Sequence, residues 1–147
     1  MRGPAFPLAL LAVTGVLLAV SAYHPFDVAT WWMEVAPVLV AVPILLATAR
    51  RFPLTPLVYF LIFVHAAILI LGGHYSYARV PLGFWIQDLF GFARNHYDRI
   101  GHVAQGFIPA MIAREILLRR TPLTRGGWLF FIVCCICLSI SAGYEFI

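Results

Sequence analysis

The chain contains no lysine, and its ten basic residues are all arginines. Charged residues of both signs make up only 11% of 147 positions. A soluble domain carries about a quarter. That scarcity excludes an ordinary water-soluble fold. In so apolar a chain the net charge of +4 does not read as a nucleic-acid surface, and the arginines read instead as markers of membrane topology. Cysteine is scarce as well. Cys134, Cys135 and Cys137 all fall in one apolar run, with no fourth ligand spaced for a thiolate zinc site, so they read as small apolar helix residues. There is no internal repeat, low-complexity tract or linker, hence no soluble second domain.

What the sequence has is length of apolar run. A bilayer needs roughly 20 mostly apolar residues per helix. Segments 5–23, 28–49, 52–73 and 126–147 meet that requirement, and 100–118 is long enough but carries polar residues. The expectation is an all-α, polytopic transmembrane bundle of about five spans, forming a single integral membrane domain over 1–147. The basic start, the apolar run and "VSA" at 20–22 also fit a cleaved signal peptide. The chain ends in "SAGYEFI" inside an apolar segment, which reads as a C-terminal truncation.

The arginines predict the topology. Arg2 precedes the first segment, Arg50 and Arg51 separate the second and third, and Arg119, Arg120 and Arg125 separate the last two. Cytoplasmic loops are enriched in Arg and Lys. The N-terminus is therefore expected in the cytoplasm and the 72–99 connection outside it. Within that connection, Pro81 suits a first helical turn, and Leu82, Trp85, Ile86, Leu89 and Phe92 recur at helical spacing. A helix over 82–93 would be about 18 Å long, too short to cross a core of about 30 Å. It is expected to lie in the outer interface, anchoring the chain there or roofing the mouth of the bundle.

Polarity concentrates in "RNHYDRIGHVAQGF", residues 94–107. On a helix starting at 97, Asp98, His102, Gln105 and Pro109 share one stripe, with Asn95 above it. Exposing ionisable groups to lipid is costly, so this stripe is expected to face protein or a water-filled cavity. Asp98 lies one turn from His102, near enough to fix its tautomer. His102, Asp98 and His96 are the candidate catalytic residues. His74, His96, His102 and Glu145 are candidate ligands for a divalent metal, since catalytic zinc takes three protein ligands and an open position. Tyr75, Tyr77 and Glu34 reach the same depth, with His65 deeper. No HExxH motif is present, and a hydrogen-bonded network between helices explains the same residues. Arg114, Arg119 and Arg120, near the cytoplasmic end, read as orientation and anionic-lipid contacts, with Glu115 on a different face from Arg114.

The strings "GGHYSYARVPLGFW", "RNHYDRIGHVAQGFIPAMIAREILLRR" and "YEF" resemble the YjdF family of bacterial inner-membrane proteins. The resemblance covers essentially the whole chain, and the middle string is its most specific part. It carries over no biochemical activity. It implies an inner-membrane location and a shared set of polar positions: His74, Tyr75, Tyr77, His96, Asp98, Arg99, His102, Gln105, Arg114 and Glu115. It also implies a continuation after "YEF" with further acidic residues, an outer loop and another membrane helix, without which a site here would be incomplete.

Three functions fit these residues. One is a metal-assisted hydrolase or transferase acting at the outer face on a lipid-linked substrate. The second is a non-enzymatic accessory or structural membrane protein. The third is a component of a small-solute transporter, which would need oligomerisation. A transport path wants polar residues from face to face, and here the stripe gives way to Pro109 and then to apolar residues. Membrane lipids are the expected partners and nucleic acid is not; nothing in the sequence points to a soluble partner.

Overall fold

The structure is a computed structural model that describes residues 5–145, with side chains through 143. It is all-helical among the described residues. The α-helices run α1 Ala5–Ser21, α2 Val28–Thr48, α3 Pro56–Tyr75, α4 Pro81–Phe90, α5 Tyr97–Arg120 and α6 Gly127–Glu145, with a short 3₁₀ turn at Tyr77–Arg79. α2 and α3 are each long and apolar enough to cross a membrane, while α1 and Gly127–Gly143 are shorter apolar helices. α5, at 24 residues, has the length but carries the polar stretch.

Local chemistry sets the helix starts. The Asp27 carboxyl accepts the Thr30 N–H at 2.7 Å and caps α2. Thr55 caps α3 through Val58 N–H, and Pro56 and Pro81 occupy first-turn positions where no amide is needed. α4 stops at Gly91, which takes the left-handed conformation (φ 65°). α2 continues as one helix through Pro37 and Pro43, as α5 does through Pro109.

The chain divides into two compact units, one through Gly101 and one from His102. In the first, α3 packs against both α1 and α2. Trp31, Val35 and Val38, one stripe of α2, meet Ala66, Leu69 and Ile70 of α3, with Leu17, Leu18 and Val42 at the edges. Trp32, Met33, Leu39 and Val40, on the other faces of α2, are exposed. Apolar exposure of that kind is what a helix turned toward lipid shows, and in water it would be an aggregation liability. In the second unit, Ala113 of α5 packs on Leu129 and Val133 of α6, and Cys137 joins that cluster as an apolar residue.

The hydrogen bond from the Thr30 backbone N–H holds the Asp27 carboxyl below the usual carboxylate range. A folded-state pKa below the unfolded one gives stability that is present above the unfolded pKa and lost as pH falls through the folded one. Asp27→Ala should therefore lower the unfolding temperature in detergent at neutral pH. The difference from wild type should close as the medium is acidified below the carboxylate range. A deficit independent of pH would show that the acid contributes something other than this cap.

Candidate functional site

The polar groups of the first unit gather where α1 ends, α2 begins and α3 ends. Ser21, the last residue of α1, is the hub. Its hydroxyl accepts Trp31 Nε1–H at 3.0 Å and donates to Leu18 O at 2.9 Å. Its carbonyl lies 2.9 Å from His74 Nδ1, so that nitrogen carries a proton. The His74 carbonyl accepts the Phe26 N–H at 2.8 Å, and the Arg79 guanidinium stacks 3.9 Å from the Phe26 ring centroid. The α1–α2 connection is thereby tied to the end of α3.

Tyr77 closes the arrangement. Ser76 adopts φ 65°, unusual for a residue with a side chain, and turns the backbone between α3 and the 3₁₀ turn. The Tyr77 ring then lies in a slot between Gly72 of α3 and Gly101 of α5. A Cβ on Gly72 would come within 2.6 Å of the ring, and one on Gly101 within 2.9 Å. At the far end of the ring, the Tyr77 hydroxyl donates to Glu34 Oε2 of α2 at 2.9 Å. One side chain thus touches three helices. Beside it, the Tyr97 ring packs 5.8 Å from that of Tyr77, and the Tyr97 hydroxyl donates to Ile68 O at 3.2 Å. Asn95 donates to Val80 O at 3.1 Å and accepts the Tyr97 N–H at 2.9 Å.

The candidate residues divide accordingly. His74, Tyr77, Glu34 and Asn95 are engaged in bonds between segments. His96 and Asp98 are half-buried, and His96 Nδ1 and Asp98 Oδ1 have no hydrogen-bond partner. His102 is exposed, so Asp98 Oδ1 does not orient it. The buried face of α5 is Tyr97, Gly101, Ala104 and Ile108. It has the same spacing as Asp98, His102, Gln105 and Pro109 but sits one residue, about 100°, away. Gly101 permits the close approach of the Tyr77 ring there, leaving the polar stripe at the edge of the buried face. No group of three or more His, Cys, Asp or Glu among the described residues is placed to hold a metal ion. His74, His96 and His102 do not converge in that way, and the Glu145 side chain lies outside the described residues.

Sequence reasoning missed two features. Gln87 also buries an unpartnered oxygen, Oε1. In the second unit, Glu115 is buried and accepts Arg119 Nη1–H at 2.6 Å, an i,i+4 pair that the E-x-x-x-R spacing would have suggested.

A profile of the family described as "Predicted membrane protein (DUF2238)" matches residues 6–147. The chain is 52% identical over 132 residues to "Inner membrane protein YjdF" of Escherichia coli (strain K12). That alignment covers 90% of this chain and 63% of the relative, so the chain spans less than two thirds of the relative's length. No solved structure matches.

Proposed function

The chain belongs to this family of predicted membrane proteins, and within it we propose an accessory, non-enzymatic protein of the bacterial inner membrane. In this reading Ser21, Glu34, His74, Tyr77, Asn95 and Tyr97 fix the arrangement of helices at the outer face. The observation that carries it is Tyr77, wedged between Gly72 and Gly101 with its hydroxyl on Glu34. A polar cluster built for catalysis leaves its functional groups free to meet substrate. Here His74, Tyr77, Asn95 and Tyr97 all bond to backbone or to another helix. The outer-face assignment is supported by the arginine pattern, with Arg50 and Arg51 at one end of the bundle and Asp27 and Asp98 toward the other.

A second reading, the metal-assisted hydrolase or transferase, is favoured by one observation: His96 Nδ1 and Asp98 Oδ1 are buried and unpartnered. Buried polar groups without partners are uncommon and often mark function. Metal content separates the two. The accessory reading predicts no stoichiometric divalent metal in purified wild type, and an Asp98→Ala, His102→Ala double variant with an unchanged unfolding temperature. One metal per chain in wild type, lost in the double variant, would replace the accessory reading with the catalytic one.

A further inference from the structure

α4 is held to the rest of the first unit along one side. Val80, just before it, is buried, and the Asn95 amide donates to the Val80 carbonyl at 3.1 Å. Asn95 also touches the Gly83 position and accepts the Tyr97 N–H at 2.9 Å. The first turn of α4 is thereby tied to the first turn of α5. Gln87 follows Gly83 by one helical turn, so the held side runs through both. Gly83 is buried and Gln87 half-buried.

The opposite side of α4 is apolar and uncovered. Leu82, Trp85 and Leu89 form a stripe about 150° round the helix from the line of Gly83 and Gln87. Trp85 and Leu89 are 62% and 61% exposed. Phe84 and Phe90 are exposed as well, so five of the ten residues of α4 are large, apolar and uncovered. Asp88 is the single charged residue of the helix. A lid over the bundle would turn its apolar stripe inward and its polar side outward. Here Gln87 is on the held side and Trp85 on the free one. The position of α4 says what meets the free side. α3, long and apolar enough to cross the membrane, ends at Tyr75, and the five residues before α4 include the tight Tyr77–Arg79 turn. α4 therefore starts where a membrane span ends, and at about 15 Å it is too short to cross a core of about 30 Å. Arg79 and Arg94, which flank it in the chain, are both exposed, as residues meeting a layer of lipid phosphates would be.

We propose that Leu82, Trp85 and Leu89 are embedded in the boundary between lipid headgroups and acyl chains, making α4 a lateral anchor of the bundle rather than a lid on it. The anchoring face lies apart from the Tyr77 slot and holds whichever function that slot serves. The test reconstitutes the 147-residue chain, one copy per nanodisc, in phosphatidylcholine brominated at shallow or at deep acyl positions. Trp85 emission is taken as the difference between wild type and Trp85→Phe, which keeps an aromatic ring and leaves Trp31, Trp32 and Trp128 in place. Shallow bromines should quench Trp85 about twofold more than deep ones, since interfacial aromatic rings sit at headgroup level. Iodide in the water should leave its emission nearly unchanged. Leu89→Trp in the Trp85→Phe background, one turn along the stripe, should repeat both results. Quenching by iodide and not by lipid would put the stripe in water and overturn the proposal. Protection from both quenchers would show that protein covers it, as a lid requires, and would overturn it equally. So would lipid quenching that disappears when several copies share a vesicle, because the face would then belong to a second copy of the chain.

Discussion

Replacing Gly72 by alanine should destabilise the first unit far more than a single methyl group ordinarily does. The new Cβ would sit 2.6 Å from the Tyr77 ring, which Gly101 confines on its other side. Overpacking of that kind costs about 1–3 kcal/mol. Displacing the ring also breaks the hydroxyl's bond to Glu34, for a further ~1 kcal/mol. Chemical unfolding in detergent micelles measures the sum. The signature is non-additivity. Once Tyr77→Ala has emptied the slot, Gly72→Ala should cost almost nothing more, because the methyl group then meets no ring. A Gly72→Ala penalty that is the same with Tyr77 present or absent would mean the slot is not what the glycine serves. Gly101→Ala should behave alike but more mildly, since its Cβ meets the ring edge at 2.9 Å.

Alkaline phosphatase fused after Arg79 should be active, and fused after Arg125 inactive. The enzyme needs its disulfides, which form in the periplasm and not in the cytoplasm. The expected contrast is all or none. It follows from Arg50, Arg51, Arg119, Arg120 and Arg125 lying in two connections and the polar region 72–99 in another. The reverse pattern would place the Ser21, His74 and Tyr77 network at the cytoplasmic face and remove the basis for any outer-face role.

The helices were legible because their signals are local. Expected segments at 28–49, 82–93 and 97–118 are found as Val28–Thr48, Pro81–Phe90 and Tyr97–Arg120. Pro81 was legible as a first-turn residue, whereas the expected helix ran on to 93 and the structure ends it at Phe90, where Gly91 takes the left-handed conformation. The facing of α5 was not legible. Two stripes with identical spacing, one through His102 and one through Gly101, lie side by side. Cost to lipid favours burying the first, while close packing favours the second. The structure buries Gly101, Ala104 and Ile108 and leaves His102 exposed. The role of Tyr77 was also hidden, because it depends on a positive φ at Ser76 that no residue-type rule announces. Gly72 and Gly101 were the available hint, since small residues mark close helix approach in membranes. Gln87 lies outside the apolar stripe of Leu82, Trp85, Ile86, Leu89 and Phe92, and the contact of Asn95 with the Gly83 position covers the face it shares.

Tyr77 bonded to Glu34 joins α2 to the end of α3 and the start of α5. A double-mutant cycle on that pair measures the link. Tyr77→Phe keeps the ring in its slot and removes the donor, and Glu34→Leu keeps the bulk and removes the acceptor. With unfolding free energies of the four proteins in one detergent, a coupling of about 1–3 kcal/mol is expected, each single change costing nearly as much as both together. Additivity within about 0.5 kcal/mol would mean that the Tyr77–Glu34 bond does not hold the helices together.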